Sequence, residues 1–264
     1  MAQPHDRGPD FLERFVALLE GDDVFCVATV IRSDKPGMPA GSKAIFLRGG
    51  GVEEFGFGDP ARTLRSQADR ALDEGRPRII ALPEGVEVFL EVQRPPARLL
   101  ICGAGHIALP LSRYAADAGF RVTVLDDRPE YASAARFPDA DVVAEDFIPA
   151  LHALAPRLFR HIVVITRGHA HDLDCLGEVL HWTTDYVGQI GSRRRLAFIK
   201  EELARRGFPA DALRHRLYGP IGLDIGAESP EEIALAIAAE LVCVRRLGAA
   251  HAFSLRGRSR AEAP

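Results

Sequence analysis

The chain has 264 residues, 37 acidic against 33 basic side chains, a formal net charge of −4 at pH 7, and 47% hydrophobic, 27% charged and 7% aromatic residues. That length accommodates two domains of the usual size, roughly 100–200 residues each, and the composition is that of a soluble globular protein rather than a disordered or membrane one. The negative balance excludes a global attraction for nucleic acid or an anionic bilayer, so any anion binding has to come from local clusters.

The first ten residues are polar and lack the apolar core and small-residue cleavage site of a secretory leader, which points to a cytoplasmic protein. Asp10 precedes Phe11, Phe15, Leu18 and Leu19 at helical spacing, with Glu13 where a capping-box partner would reach back, so a short helix is expected. Residues 24–31 and 43–47 read as strands separated by Pro36-Gly37 and Ala40-Gly41. A glycine turn at 49–51 leads to a strand over 52–57. Residues 60–74 place Leu64, Ala68 and Leu72 on one helical face, and strands at 78–82 and 86–92 complete an α+β region. Arg94-Pro95-Pro96 removes two amide donors and cannot continue a strand, which sets a boundary between domains 1–95 and 96–264.

Beyond the boundary, strand patterns (98–102, 121–126, 142–144, 162–166, 186–190) alternate with helical ones (105–119, 173–181). This predicts an α/β fold: a Rossmann-like parallel sheet with helices on both faces. The closing helix has Ser229 as N-cap, Pro230 at N1 and Glu232 at N3, and runs to about Arg246. Its apolar stretch, 233–244, is interrupted by Glu240 and falls short of the ~20 apolar residues that span a bilayer, so no membrane insertion is expected. The tail from 257 to 264 reads as a frayed end. Cys26, Cys102, Cys175 and Cys243 are scattered without a C-x-x-C pair, which argues against a disulfide framework or a structural zinc site and for reduced, mostly buried thiols.

The apolar strand Leu99-Leu100-Ile101-Cys102 runs into Gly103-Ala104-Gly105-His106-Ile107-Ala108, a G-x-G-x-x-G/A arrangement opening a helix. Gly103 permits the tight turn, Gly105 lets a diphosphate approach the backbone, and Ala108 allows helix and sheet to pack closely. The exposed amides and the helix dipole favour an anion. A second strand ends at Asp126, 23 positions after Gly103, near where a ribose-binding acid belongs (~20 residues on). Asp126 opposes a 2′-phosphate and Arg128 offsets it, so NAD and NADP both stay open.

Ile165-Thr166-Arg167-Gly168-His169-Ala170-His171-Asp172 follows a buried strand and so falls at the carboxyl edge of the sheet. His169 and His171 with Asp172 invite a metal reading, but no third histidine completes a recognised pattern; loop contacts, helix capping by Asp172 and cofactor contacts are the alternatives. In Gly188-Gln189-Ile190-Gly191-Ser192-Arg193-Arg194-Arg195 three arginines crowd a helix start, where cations oppose the dipole unless an anion is bound. The competing reading turns only one arginine to the site. Pro220-Ile221-Gly222-Leu223-Asp224-Ile225-Gly226 reads equally as a ligand cover or as a loop that needs glycine backbone angles.

At these residues, together with Val122-Thr123-Val124-Leu125-Asp126-Asp127-Arg128, the chain resembles the xanthine dehydrogenase accessory protein family (XdhC/CoxI) over most of its length. The resemblance implies a small N-terminal domain, a C-terminal Rossmann domain, and a chaperone that binds the molybdenum cofactor, as molybdopterin or its dinucleotide form. It further implies support of cofactor sulfuration with a cysteine desulfurase as partner, and handover to a molybdenum hydroxylase such as xanthine dehydrogenase. The glycine turn and the arginine-rich start then hold the phosphate end, while the loops at 167–172 and 222–226 enclose the pterin. The cofactor-binding set is Gly103, Ala104, Gly105, His106, Asp126, Asp127, Arg128, Arg167, Gly168, His169, Gly191, Ser192, Arg193, Gly222 and Asp224, with no catalytic residue and no protein-held metal. A homodimer is compatible with this reading. The rival is an NAD(P)-dependent oxidoreductase with His169 or His171 as proton donor. One departure stands out: where many relatives carry a cysteine in a glycine-rich N-terminal segment, this chain has Gly56-Phe57-Gly58-Asp59-Pro60-Ala61, without a thiol. Cys102, at a strand end, reads as buried packing.

Overall fold

The computed structural model describes residues 10–21, 23–57 and 61–248, so the frayed tail expected over 257–264 lies outside the described residues. The chain divides into two compact units, Met1–Pro96 and Ala97–Pro264.

The first unit is an antiparallel sheet in the order β3-β2-β1-β5-β4, built from β1 (Phe25–Arg32), β2 (Lys43–Leu47), β3 (Val52–Phe55), β4 (Arg78–Leu82) and β5 (Val86–Gln93). Successive side chains of a strand point to opposite faces, and β1 shows the consequence. Cys26, Ala28 and Val30 join a core with Leu64, Ala68, Ala71 and Leu72 of helix α2 (Ala61–Glu74), whereas Phe25 and Val27 meet Phe11, Phe15, Leu18 and Leu19 of α1 (Phe11–Glu20). The capping box expected at the start of α1 does not form: Asp10 is the N-cap residue but its side chain makes no cap hydrogen bond.

The second unit holds a six-stranded parallel sheet in the order β11-β10-β9-β6-β7-β8, formed by β6 (Ala97–Cys102), β7 (Phe120–Asp126), β8 (Ala140–Ala144), β9 (His161–Val164), β10 (Tyr186–Gln189) and β11 (Leu217–Tyr218). The chain moves outward from β6 to β8, then returns to lay β9 against the other side of β6, so a crevice is expected between the ends of β6 and β9. Leu99 and Ile101 of β6 pack with α3 (Ala108–Asp117) and α8 (Pro230–Leu247) on one face. Leu100 and Cys102 pack on the other with α4 (Phe147–Ala153), α5 (His169–Val179), α6 (Arg193–Arg205) and α7 (Ala210–Arg216). Burial on both faces is why these strands read as unbroken apolar runs.

The closing helix has the expected capping box between Ser229 and Glu232. Three of the four cysteines are buried and none of the four forms a disulfide; Cys243 is half-buried. Among the described residues, no helix is long and apolar enough to cross a membrane.

Candidate functional site

The two glycines of the turn after β6 have different tasks. Gly103 has φ of +115°, in the left-handed region, and a Cβ there would stand 2.5 Å from the Ile165 carbonyl oxygen. Glycine at 103 is therefore demanded by the approach of the chain after β9, and its amide closes onto the Leu125 carbonyl at 2.7 Å. At Gly105 the backbone is outside that region and an added Cβ would meet nothing within 4 Å. The fold does not require glycine at 105; the space above it is open. The Gly105 and His106 amides find no acceptor among the described residues, and the His106 side chain is exposed.

Asp126, at the end of β7, is buried beneath this turn with 1% relative exposure. Its Oδ2 accepts from the Ala104 amide at 2.7 Å and from Arg128 Nη2 at 3.0 Å. Its Oδ1 accepts from the Arg128 amide at 3.1 Å and from Arg128 Nε at 2.8 Å. Burial pushes the carboxyl pKa up, but the hydrogen bonds from Arg128 and the two amides outweigh burial and hold it below the ordinary value. Reciprocally, the Arg128 guanidinium is raised, chiefly by its bond to Asp126. Next in the chain, Asp127 takes a two-pronged pair from the exposed Arg167, at 2.9 and 2.7 Å, which spans the ends of β7 and β9.

A second cluster joins the ends of β9 and β10. Thr166 Oγ1 lies 2.6 Å from Asp172 Oδ1 and also reaches the Gly168 carbonyl at 3.1 Å. Asp172 is fully buried, and its other oxygen pairs with Arg195 Nη2. The N-cap of α5 is Gly168, so the capping role entertained for Asp172 is replaced by this bridge. Gly191, at φ of +140°, leaves room for the Arg195 stem, whose Cδ would be 2.7 Å from a Cβ at 191. Ser192 caps α6 by accepting from the Arg195 amide at 3.2 Å. Of the three arginines, Arg195 therefore turns inward while Arg193 and Arg194 are exposed. Gln189 Oε1 and Arg195 Nε are buried without a hydrogen-bond partner among the described residues, so this edge retains polar capacity for an occupant.

At the far side of the edge, the Gly222 amide donates to Glu240 Oε2 at 2.6 Å, and Tyr186 Oη donates to the same oxygen at 2.9 Å. Gly222 has φ of +102° and packs against Ala236; Asp224 is exposed on the rim. The His171 ring packs on Phe147, with centroids 5.3 Å apart, and the His169 side chain lies outside the described residues. Every expected site residue thus lies at or after the carboxyl end of a strand, but direct contacts join only part of the set: the glycine turn with Asp126 and Arg128, and Asp127 with Arg167 and, at 4.0 Å, with Arg128. Asp172, Arg195 and Glu240 were not in the expected cofactor-binding set, although Asp172 and Arg195 lie in the loop and the helix start that the sequence singled out. Their roles arise from contacts between distant elements; Glu240 carries one sequence signal, an acid inside an otherwise apolar helical stretch, whereas Asp172 lies among polar neighbours. Among the described residues, no group of three or more His, Cys, Asp or Glu side chains could hold a metal ion.

Residues 99–241 match the family model of the XdhC Rossmann domain. The chain is 35% identical over 161 residues to a Bacillus subtilis (strain 168) protein named as a probable subunit of xanthine dehydrogenase, covering 60% of this chain and 46% of that protein. It is 27% identical over 239 residues to the Escherichia coli (strain K12) protein YqeB, covering 84% of this chain and 43% of YqeB. It therefore spans less than half the length of either relative. A crystal structure described as a xanthine dehydrogenase from Bacillus halodurans shares the fold, with a TM-score of 0.53 at 21% identity over 94% of this chain and 99% of that one. With more than half of its residues inside the matched region, built around a glycine turn at the β6–β9 crevice, the chain belongs to the XdhC Rossmann domain family.

Proposed function

We propose that the protein binds the molybdenum cofactor, as molybdopterin or its dinucleotide form, protects it, supports its sulfuration and hands it to a molybdenum hydroxylase of the xanthine dehydrogenase kind. One observation carries the reading: Gly105 presents bare backbone to open space at the crevice, with amides that nothing else in the described chain uses. Such amides at the start of a helix grip a phosphate. The donor set fits the cofactor's phosphate end: the Gly105 and His106 amides would hold it, with the polar edge at Gln189 and Arg195 facing the remainder and the loops at 167–172 and 222–226 enclosing the pterin. The cofactor is cargo here, and its redox chemistry belongs to the recipient enzyme. The name of the Bacillus subtilis relative supports service to that class of enzyme.

The buried thiols support a reading in which a partner carries the sulfur. Burial pushes the Cys26 thiol up to about 12. The hydrogen bond with Cys102, followed by burial, pushes Cys175 up as well, and both of these cysteines are fully buried. A nucleophilic or persulfide-bearing cysteine needs access and a low pKa, which Cys26 and Cys175 lack, so delivery of sulfur by a cysteine desulfurase fits these two sites.

The test is cofactor loading of protein produced in a molybdenum-replete host, read by mass spectrometry of released ligands. Gly105→Val has room to fold, so its melting temperature should match the parent while molybdopterin retention falls at least tenfold. Normal retention by that variant would overturn the proposal. NADH turnover by the parent, with no molybdopterin bound, would establish the oxidoreductase reading instead.

A further inference from the structure

We propose that the crevice beside the end of β7 selects a phosphomonoester over the paired hydroxyls of an unphosphorylated ribose, with Arg136 and Arg128 reading the dianion. The inference rests on the phosphate-binding reading of the glycine turn and specifies what its ligand carries.

In dinucleotide-binding folds the acid after the second strand accepts from the ribose hydroxyls. Asp126 occupies that position, but its acceptor sites are filled from within. An ionised carboxylate offers about four lone-pair sites, and Asp126 receives four hydrogen bonds: two at each oxygen, from the Ala104 amide and three donors of Arg128. A ribose diol could bind there only by displacing a salt bridge and a turn amide. Asp126 thus acts as a clamp between turn and loop, and its charge is cancelled by Arg128.

The remaining charges favour a dianion. Asp127 is cancelled by Arg167. Arg136 donates from Nη1 to the Ala104 carbonyl at 3.2 Å and to the Tyr131 carbonyl at 2.7 Å, and among the described residues it pairs with no carboxylate. Three arginines against two aspartates leave one excess positive charge, carried by Arg136 beside the turn. Both guanidinium groups lie over the Tyr131 ring, Arg128 at 3.7 Å and Arg136 at 5.0 Å from its centroid, which fixes their planes. Each keeps unused N–H groups: Nη1 on Arg128, Nε and Nη2 on Arg136. A rigid guanidinium with spare donors and no counter-charge is the chemistry that recognises a phosphomonoester. That group is carried by a 2′-phosphorylated adenine dinucleotide and by the terminal phosphate of molybdopterin; NADH and the dinucleotide form of the cofactor lack it.

The experiment measures equilibrium binding of NADPH, NADH, molybdopterin and molybdopterin cytosine dinucleotide to the full chain and to Arg136→Gln and Arg136→Lys. The expected result is at least tenfold tighter binding of a monoester-bearing ligand than of its unphosphorylated or dinucleotide counterpart. That preference should be lost in Arg136→Gln and kept within about threefold in Arg136→Lys, with melting temperatures unchanged. Preference within the NADPH/NADH pair identifies a nucleotide source; preference within the pterin pair identifies the cofactor. Equal binding within both pairs overturns the selectivity while leaving phosphate binding intact. Binding of none of the four overturns both. A preference that survives Arg136→Gln removes Arg136 from the role and overturns the assignment.

Discussion

At residue scale the glycine turn separates a structural requirement from a functional one. Gly103 combines a left-handed φ with a Cβ position inside the contact radius of the Ile165 carbonyl. Gly103→Ala should therefore cost about 2–5 kcal/mol, from backbone strain plus displacement of the strand end, as read from urea denaturation. A loss below about 1 kcal/mol would mean that the turn relaxes around the methyl group. The motif spacing was legible in the sequence, and so was the importance of both glycines. The division of labour was not, because it depends on what lies across from each Cα. Asp126 is the sharper case. Its position after the second strand suggests a ribose acceptor, yet the register of β6 against β7 brings the Ala104 amide onto its carboxylate, and Arg128, two residues on, folds back to fill the other sites.

At the scale of elements, α5 and α6 are tied at their first turns by Asp172 and Arg195. Asp172 is fully buried and Arg195 mostly so, hence removing the acid strands a guanidinium in a poorly hydrated place. Asp172→Ala should destabilise the second unit by about 3 kcal/mol, with a smaller loss for Thr166→Val. A double-mutant cycle with Arg195→Met should return a coupling above about 1 kcal/mol, and additive effects would show that the pair contributes nothing beyond packing. The long periodic elements were readable ahead of the structure to within a few residues at their ends. Missed were α4, only seven residues with Pro149 in its first turn, α7, and the two-residue β11. Such short pieces are held by neighbours and leave no period in the sequence. The absent capping box on α1 has a related cause: the spacing of Asp10 and Glu13 permits the motif without compelling the rotamers.

For the whole molecule, one buried group gives stability a pH signature. His161, at the start of β9, is 3% exposed, packs edge-on against Phe120 at 5.3 Å, and has no hydrogen-bond partner for either ring nitrogen among the described residues. Burial pushes its pKa from 6.5 down to about 4, with nearby arginines acting in the same direction against Asp185. The unfolded chain then binds a proton that the folded chain refuses between those values. Stability from this group is complete above pH 6.5, declines as the pH falls from 6.5 to about 4, and changes no further below. The loss amounts to about 3 kcal/mol. His161→Phe should flatten that part of the melting-temperature profile and leave retention of the proposed cofactor alone. An unchanged slope would mean that the imidazole is protonated in the folded state.

The Gly222 loop owes its position to Glu240, which sits inside α8 and also receives the Tyr186 hydroxyl from the central sheet. Lifting the loop would take from this buried acid the amide it accepts at 2.6 Å, a loss of about 1–3 kcal/mol. This wall of the crevice is therefore held more firmly than an ordinary loop, and the Gly222 amide should exchange with solvent slowly. The opposite rim, where Arg167 and Asp127 meet at the surface, can part at little cost and is the easier side to open.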